Sequence, residues 1–209
     1  MTRFFVNDRE ITPPTDVSTL NQVLRYIEDA HLPPNTVVRK IQIDGLPLVI
    51  ESFSESQSKI LDQIDKQDKV EIFTGTVVEI AKDSIAEAIA YLDRIETATP
   101  SLITSFQTSP GQESYNNLKH LYEGFYWLNL LLDKLRANFQ VSLEDVLIQG
   151  ISAIEHHQKF LSVLKQLIES QNKGDFVMIS DLLEYEILPL VPIWREMFGF
   201  IEKKMNVAQ

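Results

Sequence analysis

The residues of this chain best suited to chemistry are its four histidines and its clustered carboxylates. His156 and His157 follow Glu155, and with carboxylates from facing helices they could hold a divalent metal through imidazole nitrogen and carboxylate oxygen. Di-metal helical bundles place Glu-x-x-His on paired helices, because that spacing puts both donors on one helix face. The one match here is Glu28 with His31, far upstream of the helical part. The two adjacent histidines therefore read as residues at the edge of a core: His157 lies between Ile154 and Leu161 on an apolar stripe, and His156 leans towards Phe160. No metal is expected.

Asp181, Glu184 and Glu186 form a second candidate cluster, close to a helix start, where negative charge complements the helix dipole. Glu184 and Glu186 are two residues apart and do not share a helix face. An acid–base pair would need one of them buried with a raised pKa, whereas a solvated face needs nothing further. The chain has no cysteine, which excludes disulfides, thiolate nucleophiles and iron–sulfur clusters. Its seven glycines are scattered and form no phosphate-cradling loop, and neither a nucleophile elbow nor a zinc-protease helix occurs. No catalytic residue and no cofactor is expected. Tyr122, Phe125, Tyr126 and Trp127 could line a ligand pocket, although aromatics at helical spacing commonly form core.

With 209 residues, 44% apolar and 23% charged, the chain has the composition of a folded globular protein. Its net charge of −11 repels phosphate backbones, so nucleic acid is not an expected partner. The most apolar stretch, Leu118 to Leu135, falls short of the ~20 residues of a membrane span. The opening Met1-Thr2-Arg3-Phe4-Phe5-Val6-Asn7-Asp8 lacks the apolar centre of a signal peptide, and a cytoplasmic location is expected.

The elements that must position these residues fall into two parts, giving an α+β fold. Arg3–Val6 and Arg9–Thr12 flank Asn7-Asp8, two residues that tolerate positive φ, and the spacing predicts a tight hairpin closed by Pro13-Pro14. Thr19 and Gln22 have capping spacing ahead of Leu20, Val23, Leu24 and Ile27, a helix that ends at Pro33-Pro34. From Val37 the period becomes two, with Val37, Arg39, Ile41 and Ile43 on one face; Asp44-Gly45 then turns into a return strand, Leu46 to Glu51. Ile60, Leu61 and Ile64 suggest a helical turn, and Val70–Phe73 a last strand ending at Gly75. In this order of elements, and in the Val6-Asn7-Asp8-Arg9-Glu10-Ile11 opening, residues 1–75 resemble the β-grasp fold of ubiquitin and the small bacterial sulfur carriers. Those carriers react through a free Gly-Gly carboxyl terminus. Here a lone Gly75 is followed by many more residues, so the resemblance implies a docking module without carrier chemistry.

Residues 76–209 are expected to be a helical bundle of four antiparallel helices with no further strand. Thr76 and Glu79 have capping spacing, with Ile85, Ile89, Leu92 and Ile95 as the buried stripe. Pro100 to Gln112 reads as a loop. A central helix, about Glu113 to Asn138, is so apolar between Phe125 and Leu132 that it is expected to be covered all round, by other helices or by a partner. Ser142 is read as the cap of the next helix, with the stripe Leu143, Leu147, Ile151, Ile154, Leu161, Leu164 and Ile168, and with Gly150 at a close helix crossing. Asn172-Lys173-Gly174-Asp175 reads as a C-cap followed by an N-cap. The last helix, Phe176 to about Lys204, is interrupted at Pro189 and Pro192. The segment Asp181 to Pro189, with Leu121-Tyr122-Glu123-Gly124, resembles an uncharacterised bacterial family of helical-domain proteins and carries no catalytic residue.

Pro189 removes the amide that would bond the Tyr185 carbonyl, and Pro192 does the same to Leu188. The freed carbonyls must face water, a side chain or a partner. Leu188, Pro189, Val191, Pro192 and Trp194 are accordingly the expected partner-binding residues. The functional expectation is a non-enzymatic cytoplasmic interaction or adaptor protein that binds a protein partner or a second copy of itself. A chaperone for an exported or assembling protein is the first alternative, and a ligand- or metal-binding helical enzyme the second.

Overall fold

The structure is a computed structural model that describes residues 2–14, 19–30, 32–48 and 69–207. The expected helical turn at Ile60, Leu61 and Ile64, the strand residues beyond Leu48, and His31 lie outside the described residues. The chain divides into two compact units, residues 1–80 and 81–209.

The described residues of the first unit form a five-stranded mixed sheet with a helix packed on it. Strands β1 (Arg3–Val6), β2 (Arg9–Ile11), β3 (Thr36–Ile43), β4 (Leu46–Pro47) and β5 (Lys69–Thr76) lie in the order β2-β1-β5-β3-β4. β1 and β5 are parallel, and the other neighbours are antiparallel. The β1–β2 turn forms as expected, with Asn7 and Asp8 at φ 45° and 66°. The Asn7 side chain also accepts from the Thr74 amide at 2.9 Å and donates to the Thr74 hydroxyl at 2.7 Å, tying the turn to the end of β5. Helix α1 (Leu20–Ala30) starts with the anticipated reciprocal cap between Thr19 and Gln22. Its Leu20, Val23 and Ile27 meet Phe4, Ile41, Val70 and Ile72 in the core of this unit.

One face of β3 is corrected. The register shifts between Val38 and Lys40, so Arg39 is an extra residue opposite β5. That bulge reverses the alternation: Val38, not Val37, joins Ile41 on the core side, and Val37 is exposed.

Helix α2 (Val77–Thr108) begins at a second reciprocal cap, Thr76 with Glu79, and continues through the region expected to be a loop. Pro100 sits inside it. The proline costs one backbone bond, but Leu102, Ile103 and Phe106 are buried at helical spacing beyond it, and the Thr97, Thr99 and Thr104 hydroxyls bond carbonyls one turn back. Phe106 packs edge-on against Tyr115, with ring centroids 5.8 Å apart, and beside Phe176 at 6.1 Å, which anchors the end of the helix. Helix α3 (Gln112–Phe139) buries Leu118, Leu121, Phe125, Leu128, Leu132 and Leu135. The other helices leave Tyr126, Trp127 and Leu130 exposed.

The next stretch is extended rather than helical. β6 (Leu147–Ile148) and β7 (Ile151–Ser152) form a hairpin, so strands do occur beyond Gly75. Its turn has Gln149 at φ 53° and Gly150 at φ 81°, so Gly150 serves a turn and not a helix crossing. Ser142 bonds the Glu144 amide instead of capping a helix; the cap of α4 (Ala153–Lys173) is Ser152. The buried stripe of α4 is also corrected to Ala153, His156, His157, Phe160, Val163 and Leu167, leaving Leu161 and Ile168 exposed. The helix carries two apolar stripes side by side, and packing selects between them.

Gly174, at φ 68°, and Asp175, which accepts from the Met178 amide, cap the two flanking helices as expected. The last expected helix is three consecutive segments: α5 (Phe176–Asp181), a π-helical turn (Leu182–Ile187) and α6 (Leu188–Val207). The described residues of the helical region thus form five α-helices, counted from α2. The core of the second unit centres on Trp194, whose ring lies 4.8 Å from Phe160 and 5.9 Å from Phe198; Phe160 in turn meets Phe125 at 5.0 Å. Among the described residues no helix is long and apolar enough to cross a membrane.

Candidate partner-binding site

The five residues expected to bind a partner separate in the fold. Val191 and Trp194 are buried in the core, 2% exposed each, and Leu188 is half-buried. Pro189 and Pro192 are exposed. The π-helical turn comes directly before Pro189: the Leu188 amide donates to the carbonyl of Leu183, five residues back. This wider turn takes the proline ring off the carbonyl that a regular α-turn would press against it. Pro189 and Ile193 line a cleft of about 400 Å³ that faces Ile151 of the hairpin and Glu155 and Lys159 of α4. Lys159 reaches back to Glu186 in the π-helical turn at 2.8 Å. Tyr185 stands exposed between the two glutamates, and the charge of Glu184, followed by a hydrogen bond to it, raises the pKa of its hydroxyl.

Both histidines of the metal reading are engaged. His156 is buried and its Nε2 donates to the Ile148 carbonyl at 3.1 Å, which ties α4 to the hairpin. His157 Nε2 meets Asn129 Oδ1 at 2.5 Å, and its ring lies 6.0 Å from that of Trp194. Burial lowers the pKa of His157; Asp133 opposes this and Arg136 adds to it. Among the described residues no group of three or more histidines and carboxylates is placed to hold a metal ion.

A larger cleft lies between α2 and α3. Glu87, Tyr91 and Arg94 recur at steps of four and three along α2, and His120, Gly124 and Trp127 do the same along α3. The Tyr91 side chain lies across Gly124: a Cβ placed on Gly124 would sit 1.6 Å from the tyrosine oxygen. The Tyr91 hydroxyl donates to the His120 carbonyl at 3.2 Å. Its ring takes Trp127 edge-on at 5.9 Å and the Arg94 guanidinium at 5.2 Å. Burial is the main cause that raises the pKa of Tyr91, opposed by Arg94. On one side of this contact is a depression of about 560 Å³ running towards Ser105 and Glu113; on the other is one of about 540 Å³ bounded by Glu87 and Trp127. Tyr91, Arg94 and His120 belong to both. Sequence reasoning singled out Trp127 and Tyr126 but missed Tyr91 and Arg94. The one available signal was a glycine in the middle of an apolar helix, which marks a place where another group comes close.

Residues 83–197, more than half of the chain and including every residue of both clefts named above, match the model of a domain of unknown function, DUF8042. No curated protein and no solved structure matches the chain.

Proposed function

The chain belongs to the DUF8042 family, and we propose that it is a non-enzymatic interaction protein whose helical unit docks a partner in the cleft between α2 and α3. The observation that carries this reading is the composition of the cleft: Tyr91, Arg94 and Trp127 meet at one accessible point, backed by the close approach of Tyr91 to Gly124. Tyrosine, tryptophan and arginine are the side chains that dominate binding energy at protein interfaces, since each offers large contact area with a polar end. Tyr126 and Leu130 extend the apolar surface along the same exposed side of α3, being 67% and 39% exposed.

The first unit supports a β-grasp docking domain. Its strand order, with a parallel pair at the centre flanked by two hairpins and covered by α1, supports that reading. A partner held by the helical unit and a docking domain in the same chain together make an adaptor.

Selection of phage-displayed peptides against the full chain tests the reading. Sequences should emerge whose binding is lost in Trp127→Ala. A selection that yields none, or only sequences indifferent to Trp127, removes the docking function from this cleft.

A further inference from the structure

We propose that the α2–α3 cleft takes a partner segment bearing a single carboxylate beside a large apolar side chain, with Arg94 as the anchor of the carboxylate. This rests on the docking function above and names the class of partner.

The second unit contains three arginines, and they are treated differently. Arg136 pairs with Asp133 at 3.6 Å. Arg195, on α6, takes Asp93 at 2.6 Å and also bonds Glu96. Those two acids lie one and two residues from Arg94 along α2 and do not share its helix face, and both are taken by Arg195. Arg94 makes no ion pair with any described carboxylate, in a chain whose net charge is −11, and its contact on the fold is the face of Tyr91. A guanidinium stacked on a ring keeps the donors at its edge free, and their fork matches the two oxygens of a carboxylate. The apolar contact comes from Trp127 and the Tyr91 ring. Glu87 and Glu113 bound the cleft at its two ends and repel further negative charge. This restricts the segment to one acid and disfavours a polyanion.

The probes are an end-blocked peptide of leucine, glutamate and phenylalanine, and its glutamine counterpart, titrated against the full chain. Tryptophan fluorescence reports the binding, because Trp127 is 36% exposed at the site while Trp194 is 2% exposed in the core. Trp127→Phe assigns the signal. The glutamate peptide should bind about tenfold more tightly than the glutamine peptide, as expected for one charge-assisted bidentate contact. That preference should vanish in Arg94→Gln, weaken in Arg94→Lys, and shrink as salt is raised. Circular dichroism of both variants checks that the fold is intact.

Equal binding of the two peptides, or a preference that survives Arg94→Gln, overturns the carboxylate anchor while leaving a Trp127-dependent docking site in place. Displacement of the peptide by inorganic phosphate more readily than by acetate overturns the carboxylate class in favour of a phosphate site. If neither peptide binds, the proposed segment is wrong; only a failed phage selection as well ends the docking function itself.

Discussion

Tyr91 of α2 occupies the space that a side chain at Gly124 of α3 would need, with its hydroxyl 1.6 Å from the position of the missing Cβ. Alanine at 124 has two opposed effects: helix propensity favours it by ~1 kcal/mol, whereas overpacking costs about 1–3 kcal/mol. Net destabilisation is expected in urea unfolding of Gly124→Ala, because the ring atoms Cζ and Cε1 of Tyr91, and not only its hydroxyl, lie within 2.3 Å of the new methyl. Tyr91→Ala in the same chain should remove the clash and give a positive coupling in a double-mutant cycle. Additive effects would show that Tyr91 swings aside freely.

His157 makes the stability of the fold depend on pH. Burial lowers its pKa below the ordinary value of 6.5, so the folded state resists a proton that the unfolded chain accepts. Above the unfolded pKa neither state is protonated and this residue adds no pH dependence. As pH falls through ~6.5 the unfolded state gains the proton first, and stability declines until the folded state is protonated as well. Urea midpoints measured between pH 8 and pH 5 should therefore fall on the acid side, and His157→Gln should flatten the slope in that window. An unchanged slope would locate the acid sensitivity elsewhere.

Pro189 and Trp194 should respond to substitution in opposite ways. Trp194 joins Phe160 and Phe198 in the core, and truncation to alanine is expected to cost about 3–5 kcal/mol. Its buried Nε1 has no hydrogen-bond partner among the described residues, so Trp194→Phe, which keeps a ring and removes that donor, should cost distinctly less. Pro189 is exposed and follows a turn already widened ahead of it. Pro189→Ala restores an amide at the surface and should leave stability within about 1 kcal/mol of the parent, or raise it. Thermal unfolding of the three variants checks the order, and a strongly destabilised Pro189→Ala would show that the π-helical turn depends on the proline.

The first unit has a core of its own, from Phe4, Leu20, Val23, Ile27, Ile41, Val70 and Ile72. A fragment of residues 1–80 should fold by itself, with dispersed amide resonances and a cooperative thermal transition. A collapsed amide spectrum would show that this unit depends on the rest of the chain.

What the sequence determined by itself was local. Asn7-Asp8, Thr19 with Gln22, Thr76 with Glu79, and Gly174-Asp175 each act through hydrogen bonds or positive φ within a few residues, and each sits in the structure where its spacing placed it. The α-helical period of α3 was equally legible, since Leu118, Leu121, Phe125, Leu128, Leu132 and Leu135 bury one side of it. What only the tertiary structure decided was which of several possible faces is covered. The α4 sequence has two neighbouring apolar stripes, and contact with Phe125 and Trp194 selects the one containing Phe160. One bulge residue in β3 reverses which valine faces the core, and no local pattern counts residues against a partner strand. α2 runs on past Pro100 because the burial of Phe106 against Tyr115 and Phe176 outweighs a lost backbone bond. The cleft follows the same rule. Tyr91, Arg94, Gly124 and Trp127 are brought together by the packing of two helices, while the acids at 93 and 96 point to Arg195, far away in the chain. Apolar burial and ion pairing depend on distance in space, which the order of residues along a chain does not specify.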